Sequence, residues 1–116
     1  MALTIYHNPR CSKSRETLAL LEARGLNPHI VAYLDNPPDA ATLTRLLAEL
    51  GLSDARDLMR KGEEEYKTLG LANPALGQPE LIAAMAAHPR LIERPIVSNG
   101  VQARIGRPPE TVLEIL

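Results

Sequence analysis

The hydrophobic pattern changes period twice along the chain. Leu3-Thr4-Ile5-Tyr6-His7 is a short apolar run closed by Asn8-Pro9, which predicts a buried strand over 3–7. Residues 12–24 carry helical spacing, with Leu18, Leu21 and Leu20 expected inward and Gly25 as the stop. After Pro28, His29-Ile30-Val31-Ala32-Tyr33 predicts a second strand. Strand–helix–strand in that order predicts a parallel βαβ unit.

Asn36-Pro37-Pro38 breaks the pattern, and about 50 helical residues follow. Asp39 is the expected N-cap of a helix whose Leu43, Leu46, Leu47 and Leu50 share one face, with Gly51 at its end. Ser53 is expected to cap a short helix through Leu58-Met59, and 63–69 to form a turn or two around Tyr66. Pro79 opens a helix over 79–87 with Leu81, Ile82 and Met85 inward, and Pro89 closes it. The last third returns to strand-like runs. Ile96-Val97-Ser98 and Val101-Gln102-Ala103 flank Asn99-Gly100, a two-residue hairpin signal. Gly106-Arg107-Pro108-Pro109 starts a final helix with Val112, Leu113 and Leu116 available for packing. The fold class is therefore α/β: a βαβ…ββα mixed sheet carrying an all-helical insertion at about 39–89. That is the element order of a thioredoxin-like domain, here a single domain over 1–116.

Composition narrows the function. The chain has 116 residues, 45% hydrophobic and 23% charged, with no Phe or Trp, so its core must come mainly from Leu, Ile, Val and Ala. A net charge of −1 gives no electrostatic case for a nucleic-acid or membrane partner. No apolar stretch approaches the roughly 18 residues of a membrane span. The start Met-Ala-Leu-Thr-Ile lacks a basic leader region, and one lone cysteine suits a reducing cytoplasm. Thirteen cations include only three lysines. The arginine excess reflects either base composition or a need for planar forks that grip oxyanions.

The lone cysteine, Cys11, sits at the strand-to-helix turn in His7-Asn8-Pro9-Arg10-Cys11-Ser12-Lys13-Ser14-Arg15. A helix N-terminus and nearby cations both favour thiolate, the nucleophilic form. A free thiol can instead be a buried structural residue, but the polar, cationic surroundings argue for chemistry. His7 ends the first strand over the same turn, where an imidazolium would stabilise the thiolate. Ser14 lies three residues on, on the same helix face as Cys11. Three later arginines stand at element ends: Arg60 at the end of a short helix just before a glycine, Arg94 before Pro95 at a strand start, and Arg107 before Pro108-Pro109 at the start of the last helix. In a thioredoxin-like layout the Arg94-Pro95 bond occupies the usual cis-proline position facing the active turn. The histidines His7, His29 and His88 have no metal-ligand spacing, so no metal is expected. Phosphate-loop and dinucleotide motifs are absent.

Taken together, these stretches resemble the glutaredoxin-coupled arsenate reductases of the ArsC type, relatives of the Spx regulators. The matching residues are Ile5-Tyr6-His7-Asn8-Pro9, Cys11, Ser14-Arg15, Asn36-Pro37-Pro38, Leu58-Met59-Arg60-Lys61, Tyr66, His88-Pro89, Arg94-Pro95-Ile96-Val97 and Arg107-Pro108. The resemblance implies that Cys11 is the nucleophile. It implies that Arg60, Arg94 and Arg107 bind the oxyanion, and that His7 and Ser14 tune the thiol. It also implies arsenate as substrate, glutathione as co-substrate with no bound cofactor, and glutaredoxin as partner. Arg10 and Ser12-Lys13 depart from the small neutral residues of plasmid-borne enzymes, and the chain stops at Leu116 without their longer tail, which suggests a chromosomal sister branch. Two other readings stay open: a glutathione-linked thiol oxidoreductase of another substrate, and a non-catalytic Spx-like regulator binding RNA polymerase. Ser14 stands where many such regulators have a second redox cysteine.

Overall fold

A four-stranded sheet forms the frame, and its order explains where Cys11 ends up. The computed structural model describes residues 2–116; Met1, the first residue of the expected domain, lies outside them. In chain order the elements are β1 (Thr4–His7), α1 (Ser12–Ala23), β2 (His29–Ala32), α2 (Ala40–Leu50), α3 (Glu64–Thr68), α4 (Gln78–Ala87), β3 (Ile96–Ser98) and β4 (Ala103–Ile105). Short 3-10 helices occupy Ala55–Leu58, Pro89–Leu91 and Pro109–Ile115. The sheet order is β2-β1-β3-β4. β1 runs parallel to β2 from Thr4↔His29 to His7↔Ala32, and antiparallel to β3 with Ile5 opposite Val97. β3 and β4 pair antiparallel, Ile96 opposite Ile105. This is the mixed βαβ…ββα sheet expected from the hydrophobic pattern.

The chain divides into two compact units, Met1–Asn36 with Arg94–Leu116, and Pro37–Glu93. In the first, Leu3, Ile5, Leu21, Val97, Val112 and Ile115 form the core, with Leu18, Leu20 and Leu26 packed at its margin. Alternate strand residues share a face, so Leu3, Ile5 and His7 all look toward α1. The fully buried positions of α1 are Ser14, Thr17 and Leu21. Leu18 and Leu20, expected inward, are only half-buried. The buried stripe of α1 is polar at its N-terminal end because it meets His7 and the chain around Gly106 rather than leucines.

The second unit is helical. Asp39 caps α2 as expected, accepting from Thr42 N–H at 2.8 Å, and Leu43, Leu46 and Leu47 are buried. Gly51 ends the helix at φ 74°, the left-handed turn that favours glycine. Leu81, Ile82 and Met85 of α4 are buried as their spacing predicted. The short helix begins one residue later than expected: Asp54, not Ser53, caps it by accepting from Arg56 N–H at 3.0 Å. An antiparallel bridge, Met59↔Ile92, ties the middle of the unit to its C-terminal end.

Two expectations near the C-terminus are corrected. The hairpin loop has four residues, Asn99–Gln102, because Ser98 pairs with Ala103. The Asn99 carboxamide oxygen accepts from both Val101 and Gln102 N–H (2.9 and 2.8 Å), holding a wider turn, and Val101 is exposed. The final helix is a 3-10 turn, not an α-helix. Three residues per turn put Pro109, Val112 and Ile115 on one buried face. Leu116, expected to pack, is therefore left exposed.

Candidate active site

Cys11 is the N-cap of α1, extended at φ −94° and ψ 124°. Several bonds fix the turn that carries it. Cys11 N–H donates to Asn8 C=O at 3.0 Å, Arg10 N–H to the Asn8 carboxamide oxygen at 3.0 Å, and the Arg15 guanidinium to Pro9 C=O at 2.9 Å. The thiol is 8% exposed, so it is held and still reachable. Burial pushes its pKa up. The backbone N–H groups of Ser14 and Lys13 and the charges of Arg94 and Arg107 outweigh that and hold it below the ordinary thiol value.

Both of these arginines belong to the first unit. Arg107 Nη2 donates to Cys11 Sγ at 3.5 Å, while its Nε donates to Arg94 C=O at 2.9 Å. One guanidinium thus spans the sulfur and the backbone of the other arginine. The Arg94-Pro95 bond is cis, as the layout predicted, and Arg107-Pro108 is cis as well, which no sequence feature had indicated.

His7 and Ser14 meet directly. His7 Nδ1 and Ser14 Oγ lie 2.6 Å apart, both side chains buried, and Ser14 Oγ also accepts from Asn8 N–H at 3.0 Å. Burial, then the charge of Arg15, lower the His7 pKa, with Glu22 opposing weakly. The ring is therefore held toward its neutral form. It acts on Ser14 and the turn by hydrogen bonding, where the sequence had suggested an imidazolium acting through charge.

Arg60 lies in the second unit. Its N–H donates to Leu91 C=O at 2.7 Å beside the Met59↔Ile92 bridge, and its guanidinium donates to Glu63 Oε1 at 3.2 Å. The structure thus gathers Cys11, His7, Ser14, Arg94 and Arg107 in the first unit. Among the described residues no group of three or more His, Cys, Asp or Glu is placed to hold a metal ion.

Sequence reasoning placed Gly106 at the start of the final helix and missed its close approach to α1. A Cβ there would lie 2.5 Å from Thr17 Oγ1 and 2.8 Å from Pro95 Cγ, too close for any side chain. Its N–H donates to Pro95 C=O at 2.9 Å. A glycine directly before an Arg-Pro pair was the available signal.

A cysteine at a helix N-terminus, its thiol pKa lowered by the charges of two arginines, is the arrangement of the ArsC-type resemblance, and residues 6–115 match the ArsC family. The chain belongs to the ArsC family. It is 59% identical to an uncharacterised protein, YfgD, of Escherichia coli over 97% of this chain and 94% of that protein. It is 55% identical to an arsenate reductase of Haemophilus influenzae over the full length of both. Among solved structures, an arsenate reductase from Vibrio cholerae shares a TM-score of 0.96 and 58% identity, covering 100% of this chain and 98% of that one. The ArsC fold is thioredoxin-like, and the sheet order described above is its frame. No helix of the described residues is long and apolar enough to cross a membrane.

Proposed function

We propose that this ArsC-family chain reduces arsenate to arsenite, with Cys11 as nucleophile and glutathione and glutaredoxin as reductants. The observation that carries the reading is Cys11 Sγ at the N-terminus of α1 with Arg107 Nη2 at 3.5 Å. Relatives named arsenate reductase, at 46% to 55% identity, supply the substrate.

The steps balance in atoms and electrons. Cys11 thiolate attacks As(V), one arsenate oxygen leaves as water, and a sulfur–arsenic bond forms. Arg94 and Arg107 stabilise the oxygens of the crowded pentavalent transition state, as preorganised cations do. Arg60 is assigned to the same oxyanion on the family resemblance. Ser14 and neutral His7 keep the turn in register for attack. Glutathione then supplies the second sulfur. Two electrons pass to arsenic, arsenite departs as As(III), and the two sulfurs are left as a mixed disulfide. Glutaredoxin takes the glutathionyl group by thiol–disulfide exchange. This chemistry belongs to a reducing cytoplasm.

A coupled assay tests the reading. NADPH consumption in the presence of glutathione, glutathione reductase and glutaredoxin should depend on arsenate and vanish in Cys11→Ser. Turnover of a disulfide substrate without arsenate dependence would favour a glutathione-linked oxidoreductase. Retained RNA polymerase binding by Cys11→Ser, with no turnover in the wild type, would favour the regulator.

A further inference from the structure

A cleft of about 350 Å³ opens beside the Cys11 turn, and neither Arg94 nor Arg107 lines it. One wall is His7 to Arg10, the four residues that precede the thiol; the other is Ala32, Leu34 and Asp35 at the end of β2. The sheet order explains the placement. β1 delivers the Cys11 turn, β2 lies on one side of it, and β3 on the other. Arg94 and Arg107 stand on the segments that precede β3 and follow β4, on the other side of β1 in the sheet order from β2. The cleft lies on the β2 side.

We propose that this cleft is the subsite for the thiol co-substrate, a small peptide carrying both an ammonium group and carboxylates, and that Arg10 and Asp35 read those charges. The proposal rests on the reductase reading above and names a binding site for its second substrate. The chemistry requires two approaches to one arsenic atom. The arsenate oxygens are drawn to the guanidinium groups on one flank, so the entering thiol must come from the other. Among the described residues, neither the Arg10 guanidinium nor the Asp35 carboxylate makes an ion pair, although they line one small cleft with opposite charge. An α-amino acid end of a peptide offers the complementary pair. Both residues stand on hydrogen-bonded turns: Arg10 N–H binds the Asn8 side chain at 3.0 Å, and Asp35 N–H binds Ala32 C=O at 3.0 Å. Pro9, Ala32 and the part-exposed Leu34 supply an apolar wall for the peptide's methylene groups. The volume falls at the small end of ligand sites, about 300–1,000 Å³, which suits a tripeptide.

S-methylglutathione carries the same ammonium and carboxylates but cannot form a disulfide or a sulfur–arsenic bond, so it separates binding from turnover. Titrated into the 15N-labelled protein, it should shift the amides of Asn8, Arg10, Leu34 and Asp35. Arg10→Ala and Asp35→Ala should each weaken that binding about 2–5-fold, the scale of one exposed charge contact. N-acetylation of the peptide should weaken binding to the wild type but not to Asp35→Ala. In the coupled assay both variants should raise KM for glutathione by a similar factor while KM for arsenate changes less than about twofold. Shifts confined to the surroundings of Arg94 and Arg107, abolished by arsenate, would overturn the assignment. So would titrations in which neither variant alters affinity. If the wild type fails to reduce arsenate, the titration still reads the cleft, so the two failures are distinguishable.

Discussion

The chemistry of single residues here comes down to which charges reach one sulfur. Burial alone would disfavour the Cys11 thiolate, and the N–H groups of α1 with Arg94 and Arg107 reverse that preference. The rate of iodoacetamide alkylation follows the thiolate fraction, so its pH profile should inflect below the ordinary thiol range. Arg107→Ala removes a donor at 3.5 Å and should move the inflection upward. Loss of one such preorganised donor should cut arsenate turnover about 10²–10³-fold. An unmoved inflection in Arg107→Ala would show that the contact does not tune the thiol. His7 makes the opposite kind of statement. Its folded pKa lies below 6.5, so the fold prefers the neutral ring. The unfolded chain binds the extra proton first as pH falls. The His7 contribution to stability is therefore intact above pH 6.5 and declines as pH drops through and below that value. Urea melts between pH 8 and 5 should show this decline, and His7→Gln should flatten it. Ser14→Ala would strand the Asn8 N–H and remove the partner of His7 Nδ1, at a cost of about 1–3 kcal/mol.

Elements place those residues, and their junctions matter more than their interiors. The end of β4 sits so close to α1 that only glycine fits at position 106. Thr17 cannot easily yield, since it is fully buried and its hydroxyl donates to Lys13 C=O at 2.8 Å. The next residue is Arg107, so the close approach positions the guanidinium at the sulfur. Gly106→Ala should cost about 1–3 kcal/mol through overpacking. It should also raise the inflection of Cys11 alkylation, and Thr17→Ala in the same chain should partly reverse both effects. A loss of stability with the thiol inflection unmoved would reduce Gly106 to a packing residue. Such junctions are hard to read in a sequence. The α2 face was legible because Leu43, Leu46 and Leu47 follow helical spacing and Asp39 is a good cap. The α1 face was legible at Leu21 but not at its N-terminal end, where the buried positions, Ser14 and Thr17, are polar and gain their burial from His7 and from the chain around Gly106. The Asn99-Gly100 pair was read as a two-residue turn, yet the Asn99 side chain reaches two residues further and widens it.

At the scale of the whole molecule, the βαβ…ββ order was legible because β1, β2 and β3 are short apolar runs bounded by proline or asparagine; β4 was expected at 101–103 and lies instead at Ala103–Ile105, where Arg104 interrupts the apolar pattern. Cys11 and the strand-end arginines stood out for a related reason: residues at element ends carry chemistry while element interiors carry packing. What the chain lacks is equally consequential. One cysteine in 116 residues means that no intramolecular disulfide can form at any stage. Every disulfide the protein makes must therefore hold a sulfur from another molecule. Reacted with arsenate and glutathione, but without glutaredoxin, the protein should accumulate a single glutathionyl group on Cys11, seen by intact mass and peptide mapping. Arsenite should appear at one equivalent per chain and then stop. Added glutaredoxin should remove the adduct and restart turnover. Adding thioredoxin instead separates two routes. A dithiol reductant that restored full turnover would show that the mixed disulfide is open to any thiol, and glutathione would then be a sulfur donor without a dedicated partner. Failure of thioredoxin where glutaredoxin succeeds would place recognition on the glutathionyl group itself, the only feature of the oxidised chain that a monothiol exchange needs to find.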